Sequence, residues 1–226
     1  MSTAHILCIE TALSGCSVCL SENKKILAQA VNDLPNSASD KLPSLVTETL
    51  QKAGKSFSDI QAIAVSSGPG SYTGLRIGMA AAKGYAYALG LPVIAVSTLQ
   101  SMASAAKNRY GVTADHYIPA IDARRNEIFW AVYDNQFYAL RHPAAFILDE
   151  HTNKVVDEYQ KSCIFGSGAQ KLSTAIQQPI IEPLKNFTLL AEDMIALSLS
   201  AFSVSAFDDI AYLEPDYTKE FYYKSV

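Results

Sequence analysis

A glycine-rich segment between residues 65 and 78 holds the residues of this chain best suited to chemistry. It joins an apolar strand pattern to an alanine-rich helical pattern, and its glycines include Gly68, Gly70 and Gly74. Each of these can take positive φ or let another backbone come close, and Ser71 and Thr73 can cap the helix that follows. Backbone N–H groups at such a turn favour an anion or a tightly packed neighbour. The segment therefore predicts either an anion-binding loop or a structural turn.

The spacing of this segment excludes two common nucleotide-binding loops and one catalytic turn. A P-loop needs a lysine after its last glycine, and none follows here. A dinucleotide fingerprint needs Gly-x-Gly-x-x-Gly, whereas this segment is one residue longer and the next strand pattern ends in Ser97-Thr98 without the expected acid. The Gly-x-Ser-x-Gly nucleophile turn is also absent. Dinucleotide binding stays a weak alternative.

Composition indicates a globular protein without an electrostatic field for nucleic acid. The 226 residues are 49% hydrophobic and 18% charged, with a net charge of −4. A chain of this charge, without an extended lysine and arginine cluster, is not expected to bind RNA tightly on its own. No apolar run reaches membrane-spanning length and no leader pattern is present at the start, so a cytoplasmic location is expected.

Cysteine and histidine spacing does not predict a metal or redox centre. Cys16 and Cys19 form a Cys-x-x-Cys, but the residues between them belong to a strand-like run instead of a helix start. The four histidines never occur four residues apart, the helical spacing that zinc sites use. We therefore expect packing cysteines and no metal site.

The order of elements predicts two related α/β lobes. In the first half the expected strands are Ile6 to Glu10, Ser17 to Ser21, Lys25 to Val31, Ile60 to Val65 and Pro92 to Val96, with helices Ser39 to Ala53, Leu75 to Leu89 and Thr98 to Asn108. In the second half they are strands Tyr117 to Asp122, Glu127 to Tyr133, Phe137 to Leu140 and Cys163 to Phe165, with helices Glu150 to Tyr159 and one starting at Ser167-Gly168. This repeated strand-meander order predicts an amino-terminal lobe over residues 1–110 and a smaller lobe over 111–226.

Three sequence blocks resemble the bacterial TsaB family, also called YeaZ. They are Ile9-Glu10-Thr11 with the following Cys16 to Leu20, the glycine-rich segment Ser67 to Gly78, and Ile121 to Glu127. The motif positions shared with the family are Gly68, Pro69, Gly70, Ser71, Thr73, Gly74, Asp122 and Arg124. The resemblance implies an actin-like, Hsp70-like ATPase fold of ribonuclease H-like βββαβαβα order, with a reduced second lobe.

The family resemblance also implies a function in tRNA modification. A TsaB-like chain is a non-catalytic partner of the paralogous enzyme TsaD. With the ATPase TsaE, this pair places threonylcarbamoyl on N6 of adenosine 37 in tRNAs that read codons starting with A. The tRNA would be contacted only through the complex, and the chain alone would form a homodimer.

The same resemblance implies that this chain lacks the catalytic centre. The catalytic paralogue carries two metal-binding histidines at places that Thr98 and Met102 take here, and neither side chain replaces imidazole on a divalent ion. The hairpin over residues 6–20 resembles the phosphate-binding hairpin of actin-like ATPases, so Glu10, Thr11 and Ser17 are candidates for a vestigial nucleotide site. No cofactor is required, and binding of ATP or ADP is left open. An actin-like small-molecule kinase, with Glu10 organising Mg-ATP, is the alternative function.

The alanine-rich helix after the glycine segment is a candidate partner interface. Between Leu75 and Leu89 only Arg76 and Lys83 are charged, so both sides of the helix need cover. Small residues at helical spacing could admit a second helix, with Tyr85 as an anchor. The family associates through this helix and the preceding one, which gives the candidate interface residues Leu42, Leu45, Arg76, Gly78, Ala81, Ala82 and Tyr85. The alternative is a helix buried within its own lobe.

Overall fold

The computed structural model describes residues 3–159, 161–176, 181–184 and 186–218, arranged in two compact units. Unit 1 comprises Met1–Ala105 and Leu189–Pro215, and unit 2 comprises Ala106–Thr188 and Asp216–Val226. The sequence analysis placed a single boundary near residue 110, so the return of residues 189–215 to unit 1 differs from that expectation. In the described part of the chain, no helix is long and apolar enough to cross a membrane.

Unit 1 is built on a five-stranded mixed sheet of order β3-β2-β1-β4-β5. Its strands are β1 (His5–Glu10), β2 (Cys16–Glu22), β3 (Lys25–Asn32), β4 (Ala62–Gly68) and β5 (Val93–Ser97). The first three form an antiparallel meander, and β1, β4 and β5 run parallel. The central strands are apolar at nearly every position because both faces of the sheet are buried.

Different elements cover the two faces of this sheet. Helices α1 (Ala38–Ala53) and α2 (Tyr72–Leu89) pack on one face, which includes Leu7 and Ile9 of β1. The opposite face, which includes Ile6 and Cys8, packs against a short 3-10 helix (Ala191–Met194) and α6 (Ile195–Ser203). Helix α3 (Thr98–Asn108) follows β5 directly. Residues 189–215 belong to unit 1 because they supply the cover for its second face.

Unit 2 repeats the strand order of unit 1. Its strands are β6 (His116–Asp122), β7 (Glu127–Tyr133), β8 (Ala139–Ile147), β9 (Ser162–Phe165) and β10 (Ile181–Leu184), and its helices are α4 (Thr152–Val156) and α5 (Ala169–Ala175). The sheet order is β10-β9-β6-β7-β8, with β6, β7 and β8 antiparallel and β6, β9 and β10 parallel. The expected pair of related lobes, the second one reduced, is therefore confirmed.

Candidate functional site at the carboxyl ends of the parallel strands

Buried polar side chains gather in unit 1 where the parallel strands end. Glu10 ends β1, Ser66 lies near the end of β4, and Thr98 follows β5. Glu10 is 3% exposed, and Thr11, Ser66, Thr98 and Ser101 are also buried. Because ligands of open α/β sheets bind at the carboxyl ends of parallel strands, this cluster is the candidate site of the unit.

The turn after β1 uses its hydrogen-bond donors internally. The Thr11 N–H donates to Ser66 Oγ over 3.3 Å, and the Ala12 N–H donates to Glu10 Oε1 over 2.5 Å. Ser17 Oγ accepts from the Ala191 N–H over 2.9 Å, so this hydroxyl holds the returning segment of the chain. Since Thr11 and Ala12 are also buried, the backbone N–H groups of these two residues are not free to bind a ligand.

The glycine-rich segment packs directly on this turn. The Ser71 N–H donates to the Ala12 carbonyl over 2.7 Å. A Cβ at Gly70 would lie 2.3 Å from the Ala12 carbonyl oxygen, and a Cβ at Gly74 would lie 2.1 Å from the Thr11 carbonyl oxygen. Real Cβ atoms do not approach that closely, so these glycines permit contact between two backbones. Of the two functions predicted for the segment, its geometry matches the structural turn.

The start of α2 shows how each residue of the segment is used. Gly68 takes φ of +120°, a value that favours glycine, and Pro69 is buried beside it. Ser71 is the N-cap of α2, and its Oγ accepts from the Gly74 N–H over 3.2 Å. The predicted Ser71 cap is therefore confirmed. Thr73 lies within the first turn of the helix and is exposed, so the prediction that it caps the helix is wrong.

Burial sets the protonation of Glu10. Burial raises the pKa of its carboxyl from 4.5 to about 7, while hydrogen bonds from the Ala12 N–H and Ser66 act in the opposite direction and Asp193 adds a small upward effect. The second carboxyl oxygen, Oε2, has no hydrogen-bond partner among the described residues. Near neutral pH the site therefore holds a carboxyl group that is partly protonated.

The start of the β1–β2 turn is a poor fit to a nucleotide phosphate or a magnesium ion. Phosphate binding needs accessible N–H donors, and those of Thr11 and Ala12 are buried and engaged. Magnesium prefers ionised carboxylates and keeps several of its water ligands, whereas the Glu10 carboxyl is buried and its oxygens are not exposed to solvent. Buried hydroxyls of Thr11, Thr98 and Ser101 also lack partners within the described ranges, but a neutral hydroxyl is a poor substitute for a second carboxylate.

The positions compared with the metal ligands of the catalytic paralogue lie inside the core. Thr98 begins α3, Met102 lies one turn later, and both are fully buried. In the described part of the chain, no group of three or more histidine, cysteine, aspartate or glutamate side chains is placed to hold a metal ion. Ser66, Ser101 and Asp193 are members of the cluster that the sequence analysis missed.

The candidate interface residues divide into a buried set and a partly exposed set. Leu42, Leu45, Gly78 and Ala82 are buried in unit 1 itself, and a Cβ at Gly78 would lie 2.2 Å from Thr11 Oγ1. The prediction that these four form an outward face is wrong, because the small residues of α2 allow the helix to lie close to its own sheet. Tyr85 is half-buried and its ring stacks on Phe57 at 5.7 Å, and Ala81 is half-buried too.

The outward face of α2 is formed by other residues. They are exposed and recur at steps of three or four: Thr73, Arg76, Ala80, Gly84 and Tyr87. We call this set the α2 stripe. Tyr87 is 82% exposed, and the Arg76 guanidinium lies 4.0 Å from the centre of the Tyr72 ring. The middle of the stripe has almost no side chain, which permits close approach of another helix.

The third family block forms the turn between β6 and β7 in unit 2. Asp122 Oδ1 accepts from the Arg124 N–H over 2.7 Å and pairs with Lys171 Nζ. The hydrogen bond from Lys171 is the main cause of the lowered pKa of Asp122. Asp122 and Arg124 are exposed, unlike the corresponding turn of unit 1.

Comparison with known proteins places the chain in a family. It is 31% identical over 221 residues to the tRNA threonylcarbamoyladenosine biosynthesis protein TsaB of Escherichia coli, covering 95% of this chain and 94% of that protein. The chain belongs to the TsaB family. The wider family model "TsaD: tRNA N6-adenosine threonylcarbamoyltransferase" matches residues 34–225. The resemblance stated from the sequence blocks is confirmed.

Solved structures agree with membership of the TsaB family. YeaZ from Pseudomonas aeruginosa superposes with a TM-score of 0.81 at 27% identity, covering 95% of this chain and 99% of that one. The ethanolamine utilization protein EutJ of Carboxydothermus hydrogenoformans gives a TM-score of 0.52 at 10% identity, covering 87% and 91%. At this identity the second likeness concerns the fold alone, which is the actin-like ATPase fold.

Proposed function

We propose that this chain is a non-catalytic subunit in the biosynthesis of threonylcarbamoyladenosine on tRNA, where it supports a TsaD-like catalytic paralogue. Membership of the TsaB family carries this proposal, since the related protein of Escherichia coli is named for that pathway. The TsaD-like enzyme, together with a TsaE-like ATPase, performs the transfer to adenosine 37. The tRNA reaches this chain only in the complex, and the chain alone forms a homodimer.

The geometry of the candidate site supports an accessory role. The turn after β1 uses the N–H groups of Thr11 and Ala12 within the protein, and the glycine segment lies on it. Thr98 and Met102 offer a hydroxyl and a thioether in a closed core, and these groups do not activate a metal-bound substrate. A kinase with this fold would need Glu10 to be accessible and ionised.

The proposed docking surface is the α2 stripe. A helix of the partner can approach closely over Ala80 and Gly84, and the exposed ring of Tyr87 supplies an amphipathic anchor at one end. Arg76 lies at the other end and can orient the partner. The same surface would serve the homodimer, so the TsaD-like subunit competes with a second copy of this chain.

The decisive experiment is reconstitution with purified components. Transfer to tRNA should require this chain, the TsaD-like and TsaE-like proteins and an enzyme that makes threonylcarbamoyl-adenylate. Ala80→Arg should weaken association about a hundredfold or more because it places a long charged side chain in a close helix contact. Ala196→Arg, at an exposed position of α6, is the matched control. Full transfer without this chain, or unchanged association of the Ala80 variant, would refute the proposal.

A further inference from the structure

An open groove lies in unit 1 between strand β5 and helix α6, on the face of the sheet opposite α1 and α2. Its volume is about 280 Å³. Ile94 and Val96 line it from β5, and Leu197, Ala201 and Val204 line it from α6 and the residue that follows α6. Val204 is 73% exposed. The groove therefore leaves apolar surface in contact with water at the edge of the sheet.

Strand β5 ends its sheet, so one side of its backbone is not paired with another strand. Asp208 covers the start of this side, because its N–H donates to the Val93 carbonyl over 2.9 Å and its Oδ2 accepts from the Ala95 N–H over 2.7 Å. Backbone groups point alternately to the two sides of a strand, so the Ala95 carbonyl and the Ser97 N–H also point to the open side. Among the described residues, neither of these two groups has a hydrogen-bond partner outside the sheet.

An extended peptide beside β5 would place one side chain over the groove. Its residue opposite Val96 lies between the Ala95 carbonyl and the Ser97 N–H, so the peptide backbone can bond to both groups. Opposite residues of a sheet point their side chains to the same face, and the face of Val96 is the one that packs against α6. Because apolar side chains line the groove there, an apolar side chain fits this position.

The surroundings of this edge are negatively charged. Asp208 and Asp209 are exposed where the open part of the edge begins. Residues 189–215, which include α6, carry five acidic side chains and no basic one. A lysine or arginine in the added peptide is therefore attracted at the Asp208 end, and an acidic residue is repelled there.

We propose that the β5 edge and its groove bind an extended segment of a partner protein, with an apolar residue opposite Val96 and a basic residue at the Asp208 end. Main-chain hydrogen bonds to Ala95 and Ser97 supply affinity, and the groove and the carboxylates supply selectivity. The groove lies on the other face of the sheet from α2, so this partner does not compete for the α2 stripe. The proposal does not depend on the proposed function.

The first test selects peptides on the full chain. Random seven-residue peptides displayed on phage are selected on the wild type and compared on Ser200→Trp, which fills the groove from an exposed position of α6. Ala196→Trp, at an exposed position of α6 outside the groove, is the matched control. Selected peptides with adjacent basic and apolar residues should bind the wild type and the control equally, and Ser200→Trp at least tenfold more weakly. Equal binding to all three proteins, or no selected sequence at all, would overturn the proposal.

The second test asks whether the bound peptide adds a strand. In NMR spectra of the wild type with a selected peptide, the Ser97 N–H resonance should shift, and its exchange with water should slow at least tenfold. Methylation of the peptide nitrogen that donates to the Ala95 carbonyl should weaken binding at least tenfold, whereas methylation of the next nitrogen, which points away, should have little effect. Equal effects at neighbouring nitrogens, or an unchanged Ser97 resonance, would overturn strand addition.

Two further measurements test other occupants of the groove. Removal of residues 219–226 should leave peptide affinity unchanged, and tighter binding after removal would assign the groove to those residues instead of a partner. Without peptide, the Ser97 resonance should not depend on protein concentration, since such a dependence would assign the groove to a second copy. Unchanged circular dichroism of Ser200→Trp establishes that its loss of binding comes from the filled groove. Failed reconstitution of tRNA modification would refute the proposed function and leave these results unaffected.

Discussion

Glu10 ends the first strand of unit 1 with a carboxyl group that has almost no contact with water. Its Oε1 caps the turn that follows, and its Oε2 has no partner among the residues that the structure describes. An ionised carboxylate in this place is costly, which is why its pKa is raised to about 7. The residue is therefore suited to holding the turn, and less suited to binding a cation.

Replacement of this carboxyl should change how stability depends on pH. Because the pKa is raised in the folded state, folding favours the protonated form. The stability that the protonated Glu10 carboxyl contributes is complete below pH 4.5 and is lost as the pH rises through about 7. Glu10→Gln should therefore match the wild type near pH 4.5 and exceed it at pH 8, by at most ~3 kcal/mol.

Denaturant unfolding at several pH values measures this difference. Glu48→Gln, an exposed position paired with Lys52, is the control and should change stability by less than about 1 kcal/mol throughout. Parallel pH profiles for wild type and Glu10→Gln would show that Glu10 does not titrate in this range.

At the scale of elements, two glycines of helix α2 lie in different surroundings, one packed against the sheet of unit 1 and one on the exposed side of the helix. Gly78 faces Thr11, whereas no atom lies within 4 Å of a Cβ added to Gly84. Gly78→Ala should destabilise the monomer by about 1–3 kcal/mol through overpacking, and Gly84→Ala should stabilise the monomer by about 1 kcal/mol through helix propensity. Thermal unfolding of both variants tests this, and adding Thr11→Ala should recover part of the Gly78→Ala loss. Equal effects at the two glycines would contradict the packing described here.

Two alanines of the same helix should differ in a similar way. Ala82 is fully buried while Ala80 is exposed. Ala82→Arg should destabilise unit 1 by about 4 kcal/mol or more, since it buries an unpaired charge. Circular dichroism during thermal unfolding distinguishes it from Ala80→Arg, which should keep the fold of unit 1 and lose only the stability that the homodimer supplies. A folded, dimeric Ala82 variant would place that residue outside the core.

Elements with a strong period were predictable from the sequence. The bounds of α3 and β7 match the expectation, and β1 to β3 differ by only one residue at their ends. Helix α6 was missed because its residues are apolar on almost every side, which leaves no period to detect. Strand β8 (Ala139–Ile147) begins two residues later and ends seven residues later than the expected strand Phe137 to Leu140, and its mixed sequence, which includes a proline, gave no strand pattern. The short α4 replaces a longer expected helix.

The candidate site was predictable only in part. Glu10, Thr11 and Ser17 follow from the resemblance of the hairpin, but the hydrogen bond from Ala191 to Ser17 joins residues 174 positions apart. No local pattern reports such a contact. The inward direction of Ala82 was equally hidden, because alanine has little polarity to indicate which side of a helix faces solvent.

At the scale of the whole molecule, unit 1 depends on two separate stretches of chain. Ala191, Met194 and Ile195 cover the sheet face that includes Ile6 and Cys8. A fragment of residues 1–110 should therefore fail to fold cooperatively, because that apolar face stays in water. Joining residues 187–218 to the fragment through a flexible linker should restore a cooperative thermal transition. A stable fragment of residues 1–110 would show that the returning segment is dispensable.

On the ribosome, residues 3–105 of unit 1 emerge before residues 189–215, and residues 106–188 are made in between. At roughly 5 to 20 residues per second, synthesis of the intervening stretch takes on the order of 4 to 17 seconds. During that interval one apolar face of the unit 1 sheet, the face that includes Ile6 and Cys8, is not covered. Unit 1 is thus completed only after the strands of unit 2 have been made, and nascent chains halted before residue 189 are expected to recruit chaperones or aggregate.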